Sequence, residues 1–568
     1  MVLRNREFRR RGGSSEGRGG RRFLILLLVV AGAGYLGYRQ FINMTLDKAN
    51  EALVRRDYQN ASLYFERVSG LPFNNGRGHD GLGVLKLLED DREAAREHFR
   101  IVLEHKPSRF GGDPAAVLDL MIEEGRYEAG RIYLTFLQNW KEADALQPYL
   151  LDFAAIQLGV RDLKAAKPLL EKVTAQADNP RYEKVTALAK QYEEDGAVPV
   201  LLDRNGKAIL QYDMQSEAYA FATPKLFAGW NDPNGEQGAP AMLSERERMS
   251  RIHTTLDLNL QQVAHQAMEG YNGTMIMVSP QNGEILAAYG TDGNNPFTRT
   301  FEPGSVIKVL TYGIFLENGG DVKPFAPRKY PGNMKIGDRI LYDWTTQGQL
   351  NTVEEGMAVS CNLMFAQMGL EQGWPKLGEG YRGIFDDRVG ANLLTAATPG
   401  RVNKEPENAY ELGRIAIGLD FLDTSVVGLV MIPTAVANGG KVAEPWMLKA
   451  FSNLEDQPFH TPEPSPEQAI FSAQTAAKLV DSMAASMEAP RGTARRAKVD
   501  LVKAAMKTGT AGDRPHDSIM IGIFPVEKPK VAFAFFLDRG GKCEINGARV
   551  AKRLQEQMSA LAPSYLAD

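Results

Sequence analysis

Cysteine is scarce in this chain, because Cys361 and Cys543 are the only two among 568 residues. Two thiols do not make the framework of bridges that stabilises small secreted domains, and they do not assign a redox compartment. Histidine is also scarce, with seven residues scattered along the chain. Because no Cys or His cluster has the spacing of metal ligands, we expect no bound metal and no cofactor.

An excess of either charge is also lacking. The chain has 66 Lys and Arg against 70 Asp and Glu, which gives a formal net charge of -4. That balance argues against nucleic acid as the main partner. A composition of 43% hydrophobic and 24% charged residues is ordinary for globular protein, and the length allows several domains.

The N-terminus combines a basic segment with an apolar run. Residues 1–22 contain eight arginines, and the uncharged run Phe23–Tyr38 follows. This pattern predicts a cytoplasmic tail over 1–22 and a transmembrane anchor over 23–42, so that the chain is a single-pass protein of the cell (inner) membrane with its bulk extracytoplasmic or periplasmic. A cleaved signal peptide is the alternative, because Ala31-Gly32-Ala33 has the small residues of a cleavage site.

Residues 46–196 read as helices that repeat. A small residue followed four positions later by an aromatic one recurs as Ala61 and Phe65, Ala95 and Phe99, and Ala129 and Tyr133. The alanines are 34 residues apart, and a looser fourth copy has Ala165 and Leu169. This period resembles the tetratricopeptide repeat, which implies a surface for a protein partner. A helical bundle with accidental spacing is the other interpretation.

The remaining chain alternates strands and helices. Asn205-Gly206 indicates a hairpin within 197–255, which we interpret as a linker or small pedestal. Strands are predicted at Met275–Val278 and Ile285–Ala288 and again near the C-terminus, at Ile519–Phe524 and Val531–Leu537. The simplest arrangement is an α/β domain over 256–562, with an antiparallel sheet built from both ends, flanked by helices and interrupted by a helical insert.

Ser305 opens a helix that is too apolar to be exposed. Lys308 lies three residues further on, so both side chains are expected on one face. A lysine that is desolvated in an apolar helix loses its proton more easily and can activate a serine nucleophile. The plainer interpretation is an N-capping serine with a solvated lysine one turn later.

Two further polar clusters follow. Ser360 and Asn362 could both point into one cleft if they lie at a helix start, where a hydroxyl relays a proton and an amide holds a peptide group. Lys507-Thr508-Gly509-Thr510 reads as a strand whose glycine allows close approach of another backbone. A lysine with two hydroxyls there suits a bound carboxylate and a developing oxyanion. An edge strand with an ordinary surface lysine is the alternative.

The order S-x-x-K, S-x-N, K-T-G resembles the penicillin-binding proteins and serine β-lactamases. Further matching segments are Glu302-Pro303-Gly304 before the serine and Gly492-Thr493-Ala494 before the last strand. The resemblance covers about 256–562 and implies the penicillin-binding transpeptidase fold. It also implies a serine-type D,D-transpeptidase of peptidoglycan synthesis, with D-Ala-D-Ala stem peptides as substrate and β-lactams as covalent inhibitors.

The resemblance also implies roles for single residues. Ser305 would attack the carbonyl between the two terminal D-alanines, and Lys308 would take its proton. Ser360 would pass that proton to the departing D-alanine, Asn362 would hold the substrate amide, and Lys507 would act electrostatically. Substrate binding would fall to the strand, with the terminal carboxylate received by Thr508 and Thr510 on either side of Gly509.

The chain also departs from that family's usual patterns. No glycosyltransferase motif precedes the catalytic segment, so we expect a monofunctional enzyme. Ala511-Gly512 stands where a glutamine is frequent, which puts the subclass in doubt more than the chemistry. A β-lactam sensor or cell-wall scaffold without turnover, a D,D-carboxypeptidase and a β-lactamase remain alternatives.

Overall fold

The computed structural model describes residues 16–72, 75–173, 179–385 and 392–567. The chain folds as two compact units, residues 1–189 and 190–568. The segment 1–15, which holds most of the predicted cytoplasmic tail, lies outside the described residues.

The first unit is built from helices. They are α1 (Glu16–Val54), α2 (Tyr58–Ser69), α3 (Asn75–Leu88), α4 (Arg92–His105), α5 (Pro114–Glu123), α6 (Tyr127–Trp140), α7 (Ala143–Leu146), α8 (Leu150–Gly159) and α9 (Leu163–Lys172), with α10 (Pro180–Asp195) crossing the boundary between the units. Consecutive helices contact each other along the chain, as α1 does with α2, α2 with α3, and α3 with α4.

The same N-terminal cap starts three of these helices. Asp57, Asp91 and Asp162 each accept a hydrogen bond from the backbone N–H three residues later, at 3.2, 3.0 and 2.8 Å. Such a side chain satisfies one of the N–H groups that a helix start leaves unpaired. The caps lie where the sequence pattern repeats, although the tetratricopeptide-like identity of the array stays a prediction.

The residue buried behind each cap is small. Ala61, Ala95 and Ala166 lie four positions after the three aspartates and are fully buried. The fourth copy therefore buries Ala166, one residue later than the expected Ala165, which is only half-buried. In α9 the buried alanine thus lies four positions after the capping aspartate, as it does in α2 and α4.

The predicted transmembrane anchor over 23–42 is wrong. Of the helices in the described ranges, none combines the length and the apolar character that a membrane crossing requires. The uncharged run covers only residues 23–38 and includes three glycines, whereas a crossing needs about 20 mainly apolar residues. Helix α1 moreover continues to Val54, and Ile42, Leu46 and Leu53 on it are buried in the first unit.

The second unit contains all the strands in the described part of the chain. They are β1 (Ala197–Leu202), β2 (Ala208–Asp213), β3 (Ala218–Phe221), β4 (Arg251–Thr254), β5 (Gly273–Val278), β6 (Ile285–Gly290), β7 (Arg328–Tyr330), β8 (Asn333–Ile336), β9 (Arg339–Tyr342), β10 (Gly348–Leu350), β11 (Gly400–Val402), β12 (Leu422–Thr424), β13 (Lys441–Val442), β14 (Leu448–Ser452), β15 (Pro458–His460), β16 (Gln468–Ala469), β17 (Ala505–Ala511), β18 (Asp517–Phe524) and β19 (Val531–Leu537).

Helices and short turns of the second unit lie between and after these strands. The α-helices are α11 (Glu245–Arg248), α12 (Leu258–Ala267), α13 (Lys308–Glu317), α14 (Val353–Ala358), α15 (Asn362–Gln372), α16 (Trp374–Phe385), α17 (Ala409–Ile415), α18 (Val426–Leu429), α19 (Met431–Ala437), α20 (Ala473–Glu488) and α21 (Asn546–Leu561). A 3₁₀ turn, Gly304–Ile307, leads directly into α13.

A five-stranded antiparallel sheet forms the centre of this unit, in the order β17-β18-β19-β5-β6. It joins strands from both ends of the segment, as expected. Side chains alternate between its faces, so Met275 and Met277 pack with α12 and α21 while Ile276 and Val278 pack with the helical insert. Both faces are covered, which is why β19 is apolar throughout and fully buried.

The segment 197–255 belongs to a second sheet. Its strands β1 to β4 form a six-stranded sheet with β14 and β15, in the order β15-β14-β4-β1-β2-β3. Strand β4 pairs parallel with β1 and antiparallel with β14, so the segment interpreted as a linker or pedestal is joined to residues 448–460.

We expect Phe65→Ala to loosen the first unit. Phe65 is fully buried on α2, and removing a buried phenylalanine side chain costs about 3–5 kcal/mol. Hydrogen-exchange mass spectrometry of the full chain should show lost amide protection in α2 and α3. The matched control is Leu63→Ala on the same helix, where the side chain is 44% exposed and little change is expected. Equal loss in both variants would contradict this packing.

Candidate active site

The 3₁₀ turn Gly304–Ile307 carries Ser305 at the start of the buried helix α13. Gly304 has a left-handed φ of +57°, and a Cβ on it would lie 2.9 Å from the carbonyl oxygen of Thr510. Glycine is therefore required, both for the conformation and for the close approach to β17. The turn brings the Ser305 hydroxyl, which is half-buried, beside the edge strand of the central sheet.

Lys308 is fully buried one turn after Ser305. Its Nζ donates to the carbonyl oxygen of Ser360 at 2.8 Å, to Ser360 Oγ at 3.2 Å and to Asn362 Oδ1 at 2.6 Å. No hydrogen bond joins Ser305 Oγ to Lys308 Nζ within the described chain. The structure thus brings the first two motifs together through the lysine.

Ser360 lies between α14 and α15 with a left-handed φ of +54°, which non-glycine residues adopt at a cost. Asn362 begins α15. The carboxylate of Asp343 holds this turn by accepting the backbone N–H of Asn362 at 2.9 Å and the Cys361 thiol at 3.2 Å. Asp343 is a positioning residue that sequence reasoning missed, since nothing in its spacing connects it with the motif.

The third motif forms the edge strand β17. Lys507 is fully buried, and its Nζ donates to Ser360 Oγ at 2.8 Å and to the carbonyl oxygen of Thr508 at 2.6 Å. The Thr508 hydroxyl donates to Thr493 Oγ1 at 2.7 Å. Thr510 is exposed in the cleft, and a Cβ on Gly509 would lie 3.0 Å from the Pro303 carbonyl oxygen. The close backbone approach expected at Gly509 is therefore to the start of the turn that carries Ser305, which we call the nucleophile turn.

Two buried lysines converge on one hydroxyl. Burial lowers the pKa of Lys308 to about 8. Burial, and then the charge of Lys308, hold the pKa of Lys507 well below its usual range. Because both ammonium forms would lie next to Ser360 Oγ, at least one amine is favoured in its neutral, proton-accepting form near neutral pH.

A cleft of about 790 Å³ opens onto these groups. Ser305, Ser360, Asn362, Thr508, Gly509 and Thr510 all line it. Lys308 and Lys507 lie behind this wall, reaching the cleft through Ser360. The arrangement can activate a serine, carry its proton to a leaving group through Ser360, and bind an extended peptide along β17.

Comparisons with known proteins agree with this geometry. The sequence model described as "Penicillin binding protein transpeptidase domain" matches residues 273–559. The peptidoglycan D,D-transpeptidase PbpA of Mycolicibacterium smegmatis is 24% identical over 343 residues, which cover 52% of this chain and 68% of that protein. MrdA, a peptidoglycan D,D-transpeptidase of Haemophilus influenzae, is 22% identical over 54% of this chain and 56% of its own length.

Solved structures show the same fold. The ceftriaxone acyl-enzyme complex of penicillin-binding protein A from M. tuberculosis covers 64% of this chain and 98% of its own, with a TM-score of 0.56 and 19% identity. Pseudomonas aeruginosa PBP2 in complex with WCK 5153 covers 65% of this chain and 99% of its own, with a TM-score of 0.56 and 20% identity.

The reaction of Ser305 with a labelled penicillin should speed up as pH rises. A base with a pKa of about 8 is mostly protonated below that pH, so the rate should gain about tenfold per pH unit and level off above it. Stopped-flow or quenched labelling at a series of pH values measures this. Lys478→Gln, which removes an exposed charge on α20, is the control and should retain the profile. A pH-independent rate would contradict Lys308 as the base.

Proposed function

The chain belongs to the penicillin-binding protein transpeptidase family, and on that premise we propose that it is a serine-type peptidoglycan D,D-transpeptidase that β-lactams acylate. The observation that supports this most is the buried Lys308, which lies one turn behind Ser305 and is bonded to Ser360 and Asn362. A transpeptidase needs a serine that is activated without water, and a buried amine with a lowered pKa meets that need.

Acylation follows from the positions of the groups. Ser305 Oγ attacks the carbonyl carbon between the two terminal D-alanines, and Lys308 takes the hydroxyl proton. Backbone N–H groups of Ser305 and Thr510 stabilise the negative charge that develops on the carbonyl oxygen. The turn at Gly304 supports this role, since it brings the backbone of Thr510 beside the nucleophile.

Release of the terminal D-alanine needs a proton at its nitrogen. Ser360 Oγ lies within hydrogen-bond distance of both Lys308 Nζ and Lys507 Nζ, so it can donate its own proton and recover one from Lys308. Thr508 and Thr510 receive the terminal carboxylate, and Asn362 holds the substrate amide. An amine from a neighbouring stem peptide then attacks the Ser305 ester. The cross-link forms as the ester C–O bond breaks, and Lys308 passes the amine proton to Ser305 Oγ.

The helical unit has a separate proposed role. Its recurring aspartate caps and buried alanines support a tetratricopeptide-like array, which would bind a protein partner. The cell membrane is a proposed neighbour of the N-terminal segment, because the eight arginines of residues 1–22 would be attracted to anionic lipid. We place the catalytic unit outside the cytoplasm, where its proposed substrate lies.

Ser305→Ala should abolish covalent labelling by fluorescent penicillin, because the ester-forming oxygen is removed. Lys308→Ala should slow labelling by about 10²–10⁴-fold, the usual contribution of an activating base. Ser216→Ala, at an exposed turn of the six-stranded sheet, serves as the control and should label like the unaltered protein. Mass spectrometry of the adduct identifies the residue, and an adduct that persists in Ser305→Ala would contradict the mechanism.

The location is tested by fusing to the C-terminus of the full chain a reporter that is active only outside the cytoplasm. We expect an active reporter. A second reporter that is active only inside the cytoplasm should stay silent at the same position. The opposite pattern would place the catalytic unit in the cytoplasm and overturn this part of the proposal.

A further inference from the structure

A second cavity adjoins the catalytic cleft. It has a volume of about 460 Å³, and we call it the arginine pocket after Arg491, Arg495 and Arg496, which line it together with Trp344 and Thr493. Trp344 and Thr493 also line the catalytic cleft, so the two cavities share a wall. The arginine pocket therefore lies directly beside the catalytic cleft.

Its three guanidinium groups lack carboxylate partners among the described residues. Arg491 donates to the backbone and side-chain oxygens of Gln347 at 2.9 and 3.0 Å, and Arg495 donates to the carbonyl oxygen of Pro490 at 3.4 Å. The acidic side chain in the lining, Glu544, is 4.0 Å from Lys542 instead. Three exposed like charges in one cavity repel each other, which an anionic ligand would relieve.

The opposite wall is a fixed aromatic ring. Trp344 is 55% exposed, yet its indole Nε1 donates to the carbonyl oxygen of Val359 at 3.0 Å, immediately before Ser360. Its backbone N–H also donates to Asp343 Oδ1 at 2.8 Å. Asp343 thus anchors both the Ser360 turn and this wall, so a peptide held in the arginine pocket would be positioned relative to the proton relay.

The position of the pocket indicates which substrate enters it. Thr508, which receives the terminal carboxylate of the donor peptide in the proposed function, is bonded to Thr493 in the pocket wall. On the proposed function, the pocket is therefore adjacent to the position that the terminal D-alanine would occupy. The space that this residue vacates is the space through which an acceptor amine must approach the ester.

We propose that the arginine pocket binds a carboxylate of the acyl-acceptor peptide, placing its amine for attack on the Ser305 ester. Arginine forks suit this role because they bind carboxylates through two parallel hydrogen bonds. This inference rests on the proposed function and deepens it: the acceptor is a peptide that carries both an amine and a carboxylate, and Arg495 and Arg496 determine its specificity.

The test measures transfer from a labelled D-alanyl-D-alanine donor peptide to a synthetic tripeptide whose side chain carries the acceptor amine. The acceptor is used with its C-terminal carboxylate free and with the same carboxylate amidated. We expect Arg495→Gln/Arg496→Gln to raise the acceptor KM about 10- to 100-fold for the free acid, the usual effect of losing charge-assisted hydrogen bonds. For the amidated acceptor the KM of the variant should be close to that of the unaltered protein, because the amide has already removed the carboxylate that the arginines would bind.

Lys478→Gln/Lys552→Gln is the matched control, because it removes two exposed positive charges elsewhere in the catalytic unit. The proposal would be overturned if this control raised the acceptor KM as much as the arginine variant does. It would also be overturned if the arginine variant raised the KM equally for the free-acid and the amidated acceptor. Either result would indicate a general effect of charge. An unchanged KM in the arginine variant would overturn it as well.

A binding measurement gives a readout without turnover. Isothermal titration calorimetry measures binding of the free-acid tripeptide to the Ser305→Ala protein. Adding Arg495→Gln/Arg496→Gln to that protein should reduce the affinity about 10-fold or more. Equal affinity in the two proteins would contradict binding in the arginine pocket. The proposed function is tested separately, by the adduct of labelled penicillin at Ser305 in the unaltered protein. If no adduct forms, the proposed function and this proposal both fail.

Discussion

The catalytic unit depends on two lysines that are buried around one serine hydroxyl. Lys308 and Lys507 are both fully buried and both within hydrogen-bond distance of Ser360 Oγ. An isolated buried ammonium group is costly, so burial lowers both pKa values and makes each lysine easier to deprotonate. The same desolvation that would destabilise an ordinary core thus supplies a base at the nucleophile.

The rest of the unit keeps this cluster closed. The five-stranded sheet places Lys507 on β17, while the helical insert places Lys308 on α13 and Ser360 between α14 and α15. Close backbone contact at Gly304 and Gly509 seals the nucleophile turn against the strand. The left-handed turn at Ser360 is also held by the carboxylate of Asp343. Lys308, Lys507 and Asp343 thus hold this turn by hydrogen bonds from three separate parts of the chain.

Burial and exposure divide the active site into two parts. The proton-handling lysines lie behind the wall, where their pKa values are lowered, whereas the groups proposed to bind substrate lie on the cleft surface. The arginine pocket lies beside that surface and shares Trp344 and Thr493 with it. The first unit has a different recurring feature, an aspartate cap followed four residues later by a buried alanine in three of its helices.

The chemistry could be read from the sequence, because each motif is local and its residue types have few other uses in that order. Ser305 and Lys308 are coupled by helix geometry alone, and the short apolar run Met275–Val278 predicts a strand. Helical periodicity likewise identified the first unit. The apolar run near the N-terminus was misread, because its composition suggests a membrane while its length, its glycines and the buried face of α1 do not.

Only the tertiary structure decided how the three motifs meet. Contacts between residues that are distant in the chain depend on packing, which no local pattern encodes. The bonds from Lys308 and Lys507 to Ser360 link positions more than 50 and more than 140 residues apart. Asp343 and Arg496 have no local signature, and their significance arises solely from what the folded chain places beside them.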